Sequence, residues 1–376
     1  MANLTKPIEL LFPPIIKVGP GTAASVGAFA TEQNHSRILV VADVFNASRL
    51  SVLKLEGTVE VYSKIIAEPS VSDLEEALAV AKAFSPDLVV GFGGGSAMDL
   101  AKLVAVLWEG EQTFGEVVGA DKVAPRRTAL AQVATTAGTG SEAGFRALVT
   151  DPGTWNKLAV QSREMLADIS VVDADLMLTV PARVTAETGV DALAHCAEAY
   201  TNVNAHPLID VYALKGIRLV GEYLPRAVRN GSDLEARAAM ALASLYGGFC
   251  LGPVNTHAGH AVAYPLGTRH HIPHGAANAV IFPHVLAFNA PAKPKRTEDI
   301  LSGLGLVPTS DPSAVFERAH AWCASLGIEM SLEKRGIPEA DFAPMAREAA
   351  GIRRLLDNNP RSIASDDILA MYEAAQ

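Results

Sequence analysis

The stretch PDLVVGFGGGSAMDLAKLVAVLW, residues 86–108, decides the class of fold. It opens with a short β-branched run of the kind a buried parallel strand shows, passes through Gly93, Gly94 and Gly95, and continues as an apolar helix capped by Ser96. A strand-to-helix turn of this composition lets the backbone approach a pyrophosphate closely, while the helix N-terminal amides and dipole hold its charge. The spacing is not G-x-G-x-x-G, and a glycine-rich turn also serves purely structural ends, so the rest of the chain has to support it.

Upstream, RILVVAD (37–43) is a second buried-strand run and VEVYS (59–63) a third. Between VEVYS and the glycine turn, Leu74, Ala77, Leu78, Ala81 and Phe84 share one helical face, and Ser72 with Glu75 reads as a capping box at its start. Strand and helix signals thus alternate, which predicts a mostly parallel sheet covered by helices, with ligands at the carboxyl ends of the strands. Asp43 ends the first of these strands. An acid there hydrogen-bonds an adenosine ribose and repels a 2′-phosphate, which favours NAD over NADP and leaves NADP open; a turn or helix-cap role is the competing reading. Downstream, QVATTAGTGSE (132–142) repeats the small, hydroxylated, glycine-rich composition after an apolar run, and Thr135, Thr136, Thr139 and Ser141 can donate to phosphate or ribose oxygens.

From about residue 180 the pattern turns helical. VPARVTAETGVDALAHCAEAYTN, then PLIDVYALKGIRLVGEYLPRAVRNG with Pro207 at a helix start, then SDLEARAAMALASLYGGF with Ser232 and Glu235 as a second capping box, all read as helices. DADLMLTVP (173–181) reads as an extended boundary, dividing the chain into 1–178 and 179–376, and NAPAKPKRTED (289–299) as an exposed loop.

Composition excludes several classes. With 376 residues, 49% hydrophobic and 19% charged, the chain buries a large core in about two domains. A net charge of -10 and the lack of any run of basic residues argue against nucleic-acid binding. Apolar stretches break well before the roughly 18 to 20 residues of a membrane span. The N-terminal stretch MANLTKPIELLFPPIIKVGPG has no charged leader and no small-residue cleavage site, and the three cysteines, Cys196, Cys250 and Cys323, form no disulfide framework. The expectation is a cytoplasmic protein.

The chemistry-bearing residues lie in the helical half. In VDALAHCAEAY, Asp191 and His195 are four apart, so a helix sets both on one face. THAGHAVAYPLGTRHHIPHG then gathers His257, His260, His270, His271 and His274, half of the ten histidines in the chain. Three imidazoles and one carboxylate suit Fe²⁺ or Zn²⁺. Spacing alone leaves open which three histidines bind.

The motifs FPPIIKVGPG, GGGSAMDLAK, TTAGTGSE, DALAHCAEAY and HAVAYPLGTRHHIPHGAANAVIFPHVLAFN run nearly the whole length of the chain, in an order and spacing that resemble the iron-containing, or group III, alcohol dehydrogenases. The resemblance implies an N-terminal α/β dinucleotide-binding domain and an all-helical C-terminal domain, with the metal in the cleft between them. It implies Asp191, His195, His260 and His274 as metal ligands. It also adds Asp99, Lys102 and Lys157 to the cofactor residues and suggests a homodimer or larger homo-oligomer. Where many members carry a second histidine, this chain has Tyr264. Tyr264 is thus the first candidate to carry the proton, ahead of His257 and His270.

The expected activity is metal-dependent hydride transfer between a nicotinamide cofactor and a small alcohol, semialdehyde or hydroxy acid. The cation would act as a Lewis acid on the substrate oxygen. Arg146, Arg269, His270 and His271 hint at a carboxylate-bearing substrate. Glu142 and Glu198 read as groups behind the ligands or as helix caps, and His284 as structural. The competing readings are a maleylacetate reductase-like enzyme, a dehydroquinate synthase-like lyase, and a non-catalytic nucleotide-binding protein with a structural metal.

Overall fold

The computed structural model describes residues 4–65, 68–153 and 156–376. Two compact units are formed, Leu11–Leu178 and Thr179–Gln376, the latter joined by the described N-terminal residues up to Leu10.

In the first unit the strands are β1 (Ile15–Val18), β2 (Arg37–Ala42), β3 (Thr58–Tyr62), β4 (Leu88–Gly93), β5 (Gly119–Ala120), β6 (Ala129–Ala134), β7 (Arg146–Asp151), β8 (Asn156–Gln161) and β9 (Ile169–Val172). The helices are α1 (Ser25–Glu32), α2 (Val44–Ala47), α3 (Val71–Phe84), α4 (Gly95–Leu107) and α5 (Phe114–Val117). Six strands form an all-parallel sheet in the order β1-β9-β6-β4-β2-β3. The strands carry apolar side chains on both faces because helices cover both. Leu39 and Val41 enter one core cluster, with Leu74, Leu100 and Leu103, while Ile38, Val40 and Ala42 enter the other, with Val26 and Phe29. A small second sheet, β5-β8-β7, pairs β7 and β8 antiparallel.

This topology determines where a ligand can sit. From β2 the chain moves outward to β3, then crosses back to β4 and on to β6, so the winding reverses between β2 and β4. Register aligns Ala42 with Phe92 and Gly93 with Ala134, so the loops after β2, β4 and β6 emerge together at one sheet edge. That is the crevice where open α/β sheets bind ligands.

The second unit is helical: α6 (Ala182–Thr201), α7 (Pro207–Arg229), α8 (Leu234–Leu251), α9 (Ala258–His270), α10 (His274–Asn289), α11 (Pro294–Gly303), α12 (Pro312–Ser325), α13 (Phe342–Ala350), α14 (Arg353–Leu356) and α15 (Ser365–Ala374). Among the described residues no helix is long and apolar enough to cross a membrane.

Several local expectations change. The capping box of α3 is Ser70 with Asp73, not Ser72 with Glu75, because Pro69 and Ser70 are held extended against Thr150 and helix begins only at Val71. Helix α8 is capped by Asp233, whose carboxylate accepts from Ala236 N, while Glu235 turns to Arg226; Ser232 is outside. Helix α4 starts two residues early, leaving Gly94 as the cap and Ser96 inside the first turn. The extended reading of 173–181 fails at Ala174–Met177, a 3-10 turn capped by Asp173. Residues 289–299 are not a loop. They form a 3-10 turn and the first half of α11, where Pro294 sits at the start, Lys295 pairs with Asp299 one turn on and Arg296 pairs with Asp210.

Candidate metal centre and dinucleotide loops

On α6, Asp191, His195, Glu198 and Thr201 follow at steps of four, three and three, so one buried face carries all four. Helix α9 begins with His257 at its N-cap and brings in His260 and then Tyr264, one turn apart. Helix α10 starts at His274 and presents Asn278 a turn later.

Asp191, His195, His260 and His274 converge, with one ligand atom of each within 4.8 Å of all the others. The Nε2 atoms of His260 and His274 lie 3.7 and 3.6 Å from Asp191 Oδ1. The His195 and His260 rings stack at 4.6 Å. Asn278 Nδ2 donates to Asp191 Oδ1 at 2.6 Å and orients the carboxylate. His260 Nε2 is buried without a hydrogen-bond partner, although such atoms normally have one. Three imidazoles, one carboxylate and an orphaned buried ring nitrogen among them are a donor set that fits Fe²⁺ or Zn²⁺.

The ring orientation of His260 has a visible cause. Its Nδ1 lies 2.7 Å from Glu198 Oε1, and Glu198 Oε2 accepts from His257 N at 2.6 Å. Burial would push the Glu198 carboxyl up, but His260 and His257 outweigh it and hold it at about 2. Glu198 is therefore the acceptor and His260 Nδ1–H the donor, which turns Nε2 toward the cluster. Burial likewise opposes the Asp191 charge, and His195, His274 and His260 overcome it, keeping that carboxyl below its ordinary value. Gly259 is required for this packing, since a Cβ there would stand 2.4 Å from Glu198 Oε1.

The remaining expected residues separate. The Tyr264 ring tilts against His274 with centroids 6.0 Å apart, beside the cluster. His257 does not join it: Nδ1 accepts from Ala258 N, Nε2 meets Thr201 Oγ1 at 2.8 Å, and burial drives its pKa down to about 4. His270 is drawn away to Asp341 at 3.3 Å, and His271 is the exposed left-handed C-cap of α9. The two arginines of the expected carboxylate site have partners within the protein. Arg269 is forked onto Glu348, and Arg146 donates to Gln161 Oε1 at 2.9 Å. His284 packs against Phe316 inside the helical unit, away from any ligand.

In the first unit the two glycine-rich loops meet. Thr135 N donates to Gly93 O at 3.0 Å, and Cβ atoms built on Gly94 and Gly95 would approach Thr136 and Thr139, so bulk is excluded where the loops touch. Asp43 lies beside Gly93 and caps α2 by accepting from Asn46 N, so its cap role is realised. Asp99 and Ser141 are engaged with each other: Ser141 Oγ donates to Asp99 Oδ1 at 2.5 Å, Leu148 N donates to Asp99 Oδ2, and fully buried Lys102 donates to Ser141 Oγ and Arg146 O. Glu142 is buried beside Lys102, both its carboxylate oxygens lack a hydrogen-bond partner, and burial pushes its pKa up to about 7. Lys157 pairs with Glu68; Thr154 and Trp155 of its segment lie outside the described residues.

Two contributors went unread in the sequence. Asn278 stands four residues after His274, the same spacing that exposed Asp191 and His195. Asn46 stands three after Asp43 and bridges it toward Thr135 Oγ1 at 3.3 Å.

Both halves of the chain match known families. Residues 13–174 match the family described as iron-containing alcohol dehydrogenase, and residues 185–376 the C-terminal part of the Fe-containing alcohol dehydrogenase family. The chain belongs to this family. It is 36% identical over 382 residues to long-chain-alcohol dehydrogenase 1 of Geobacillus thermodenitrificans, covering 98% of this chain and 96% of that one. Its fold resembles that of a 1,3-propanediol oxidoreductase, with TM-score 0.92, 31% identity and coverage of 99% and 100%. It also resembles a sulfoacetaldehyde reductase from Bifidobacterium kashiwanohense in complex with NAD⁺, with TM-score 0.88, 26% identity and coverage of 98% and 99%. The chain is thus an enzyme, an oxidoreductase of alcohols or aldehydes, and the maleylacetate reductase-like, lyase and non-catalytic alternatives are not favoured.

Proposed function

We propose that this protein is a metal- and NAD-dependent dehydrogenase that interconverts a small alcohol and its aldehyde, the substrate being a simple alcohol, semialdehyde or hydroxy acid. The observation that carries this is the convergence of Asp191, His195, His260 and His274 around the orphaned Nε2 of His260. These four residues would hold Fe²⁺ or Zn²⁺. When bound there, the ion supplies Lewis acidity to the substrate oxygen. Glu198 keeps His260 in the one tautomer that can ligate, and Asn278 keeps Asp191 turned inward. Tyr264, beside His274, is the residue we assign to carry the hydroxyl proton.

Gly93, Gly94, Gly95 and Ser96 would receive the diphosphate, with Thr135, Thr136 and Thr139 from the second loop beside it; Asp43 would accept from the adenosine ribose, favouring NAD. Asp99 and Ser141 support those loops, and Lys157 is the ribose-side lysine of the same scheme. Free, buried Cys196, Cys250 and Cys323 support a reducing compartment, the cytoplasm, and the family supports a homodimer.

The test is chelation followed by reloading with Fe²⁺ or Zn²⁺, then NADH formation on a panel of alcohols, diols and hydroxy acids. Turnover should vanish on stripping and return on reloading, while helical circular dichroism stays intact. Equal activity after rigorous stripping would sink the assignment.

A further inference from the structure

Helix α9 runs past the four-residue centre and carries a row of charge toward α13 and α14. Three of the cations there have carboxylate partners. Arg269 is forked onto Glu348, His270 faces Asp341, and Arg353 is paired with Asp357. Arg354 differs. It is exposed, it forms no ion pair among the described residues, and its guanidinium lies over the Tyr264 ring, 5.5 Å from the centroid. That ring also neighbours His274, one of the four converging residues, at 6.0 Å between centroids. One aromatic ring therefore has both an unpaired cation and a residue of the centre as neighbours. The cation–π contact fixes the guanidinium in place and leaves its N–H donors unused.

Resting on the dehydrogenase assignment above, we propose that Arg354 binds an anionic tail, carboxylate or sulfonate, of an alcohol or aldehyde whose oxygen lies at the Asp191–His195–His260–His274 centre. A planar fork of donors recognises either group in a bidentate manner, which lysine does less well. Arg269, the cation of α9 that the sequence pointed to, is already paired with Glu348, so the recognition falls to a residue that no motif marks.

The experiment compares three substrates of similar size on the metal-loaded enzyme: propanol, β-hydroxypropionate and isethionate. It uses the wild type, Arg354→Met, which keeps the apolar stem on Tyr264, and Arg354→Lys. The ratio of kcat/KM for each anion over propanol should fall roughly 10- to 100-fold in Arg354→Met, the range of a charge-assisted hydrogen bond, and recover partly in Arg354→Lys. Calorimetric binding of isethionate and β-hydroxypropionate should weaken in parallel, and which anion loses more identifies the tail. Unchanged ratios, or a wild type that turns over propanol and neither anion, would overturn the anion site alone. No turnover of any of the three, with anion binding still dependent on Arg354, would instead overturn the dehydrogenase assignment.

Discussion

Glu198 Oε1 and His260 Nδ1 are 2.7 Å apart in a fully buried pair, and this contact determines which nitrogen of His260 faces the centre. The carboxylate is itself held by His257 N, and Nε2 of His257 meets Thr201 one turn further along α6. A ligand imidazole whose second nitrogen donates to a carboxylate is both oriented and made more basic.

The first expectation concerns that pair. Glu198→Gln should lower Fe²⁺ or Zn²⁺ affinity about 10- to 100-fold, because a neutral amide no longer enforces the tautomer. Glu198→Asp should recover part of it. Competition with a chromogenic chelator reads this without turnover, and Co²⁺ substitution should show a shifted visible spectrum. Unaltered affinity and spectrum in Glu198→Gln would mean that Glu198 only packs.

A second concerns the staple between the two glycine-rich loops. Lys102 is fully buried, and its ammonium is 3.6 Å from Asp99 and hydrogen-bonded to Ser141. Lys102→Met alone leaves partly buried Asp99 and buried Glu142 uncompensated and should cost roughly 3 kcal/mol in urea unfolding. Adding Asp99→Asn should return part of that, a non-additive pair. Calorimetry should show weaker NAD binding in the single variant; additive costs with unchanged NAD binding would contradict the staple.

Asp43 caps α2, and the cofactor role proposed for it can be separated from the cap by one substitution. Asp43→Ser retains a side-chain oxygen for the cap of α2, so stability should change by less than about 1 kcal/mol. It removes the negative charge, so the preference for NAD over NADP should fall at least about 10-fold, the scale of a relieved like-charge contact. Steady-state kinetics with both cofactors check this, and an unaltered preference would leave Asp43 with the cap alone.

His284 supplies a pH dependence away from the centre. Burial, assisted by His320, lowers its pKa to about 4 from the ordinary 6.5. Between those values the unfolded chain binds a proton that the folded chain does not, so this contribution is complete above about pH 6.5 and is lost as pH falls through 4. Its size is roughly 3 kcal/mol. Urea unfolding of the wild type and His284→Phe at pH 7 and pH 4.5 should show a steeper acid loss in the wild type; parallel losses would contradict a neutral buried imidazole.

Much of this protein is local and hence legible in its sequence. The β4–α4 turn, the α3 and α6–α8 helices and the Asp191–His195 pair follow from periodicities of two and 3.6, which side chains obey before any tertiary contact forms. The family motifs then singled out His260 and His274. What sequence could not decide was partnership. Ser72 and Ser70 are equally good caps until Thr150 holds the chain extended, and Arg269 and Arg354 look alike until Glu348 takes the first. His257 and His260 lie three residues apart, yet one is satisfied by Thr201 and the other is aimed at the centre by Glu198. Spacing fixes the face on which a side chain stands; which polar groups remain unpaired there depends on what distant segments bring against that face, and that is a property of the folded chain.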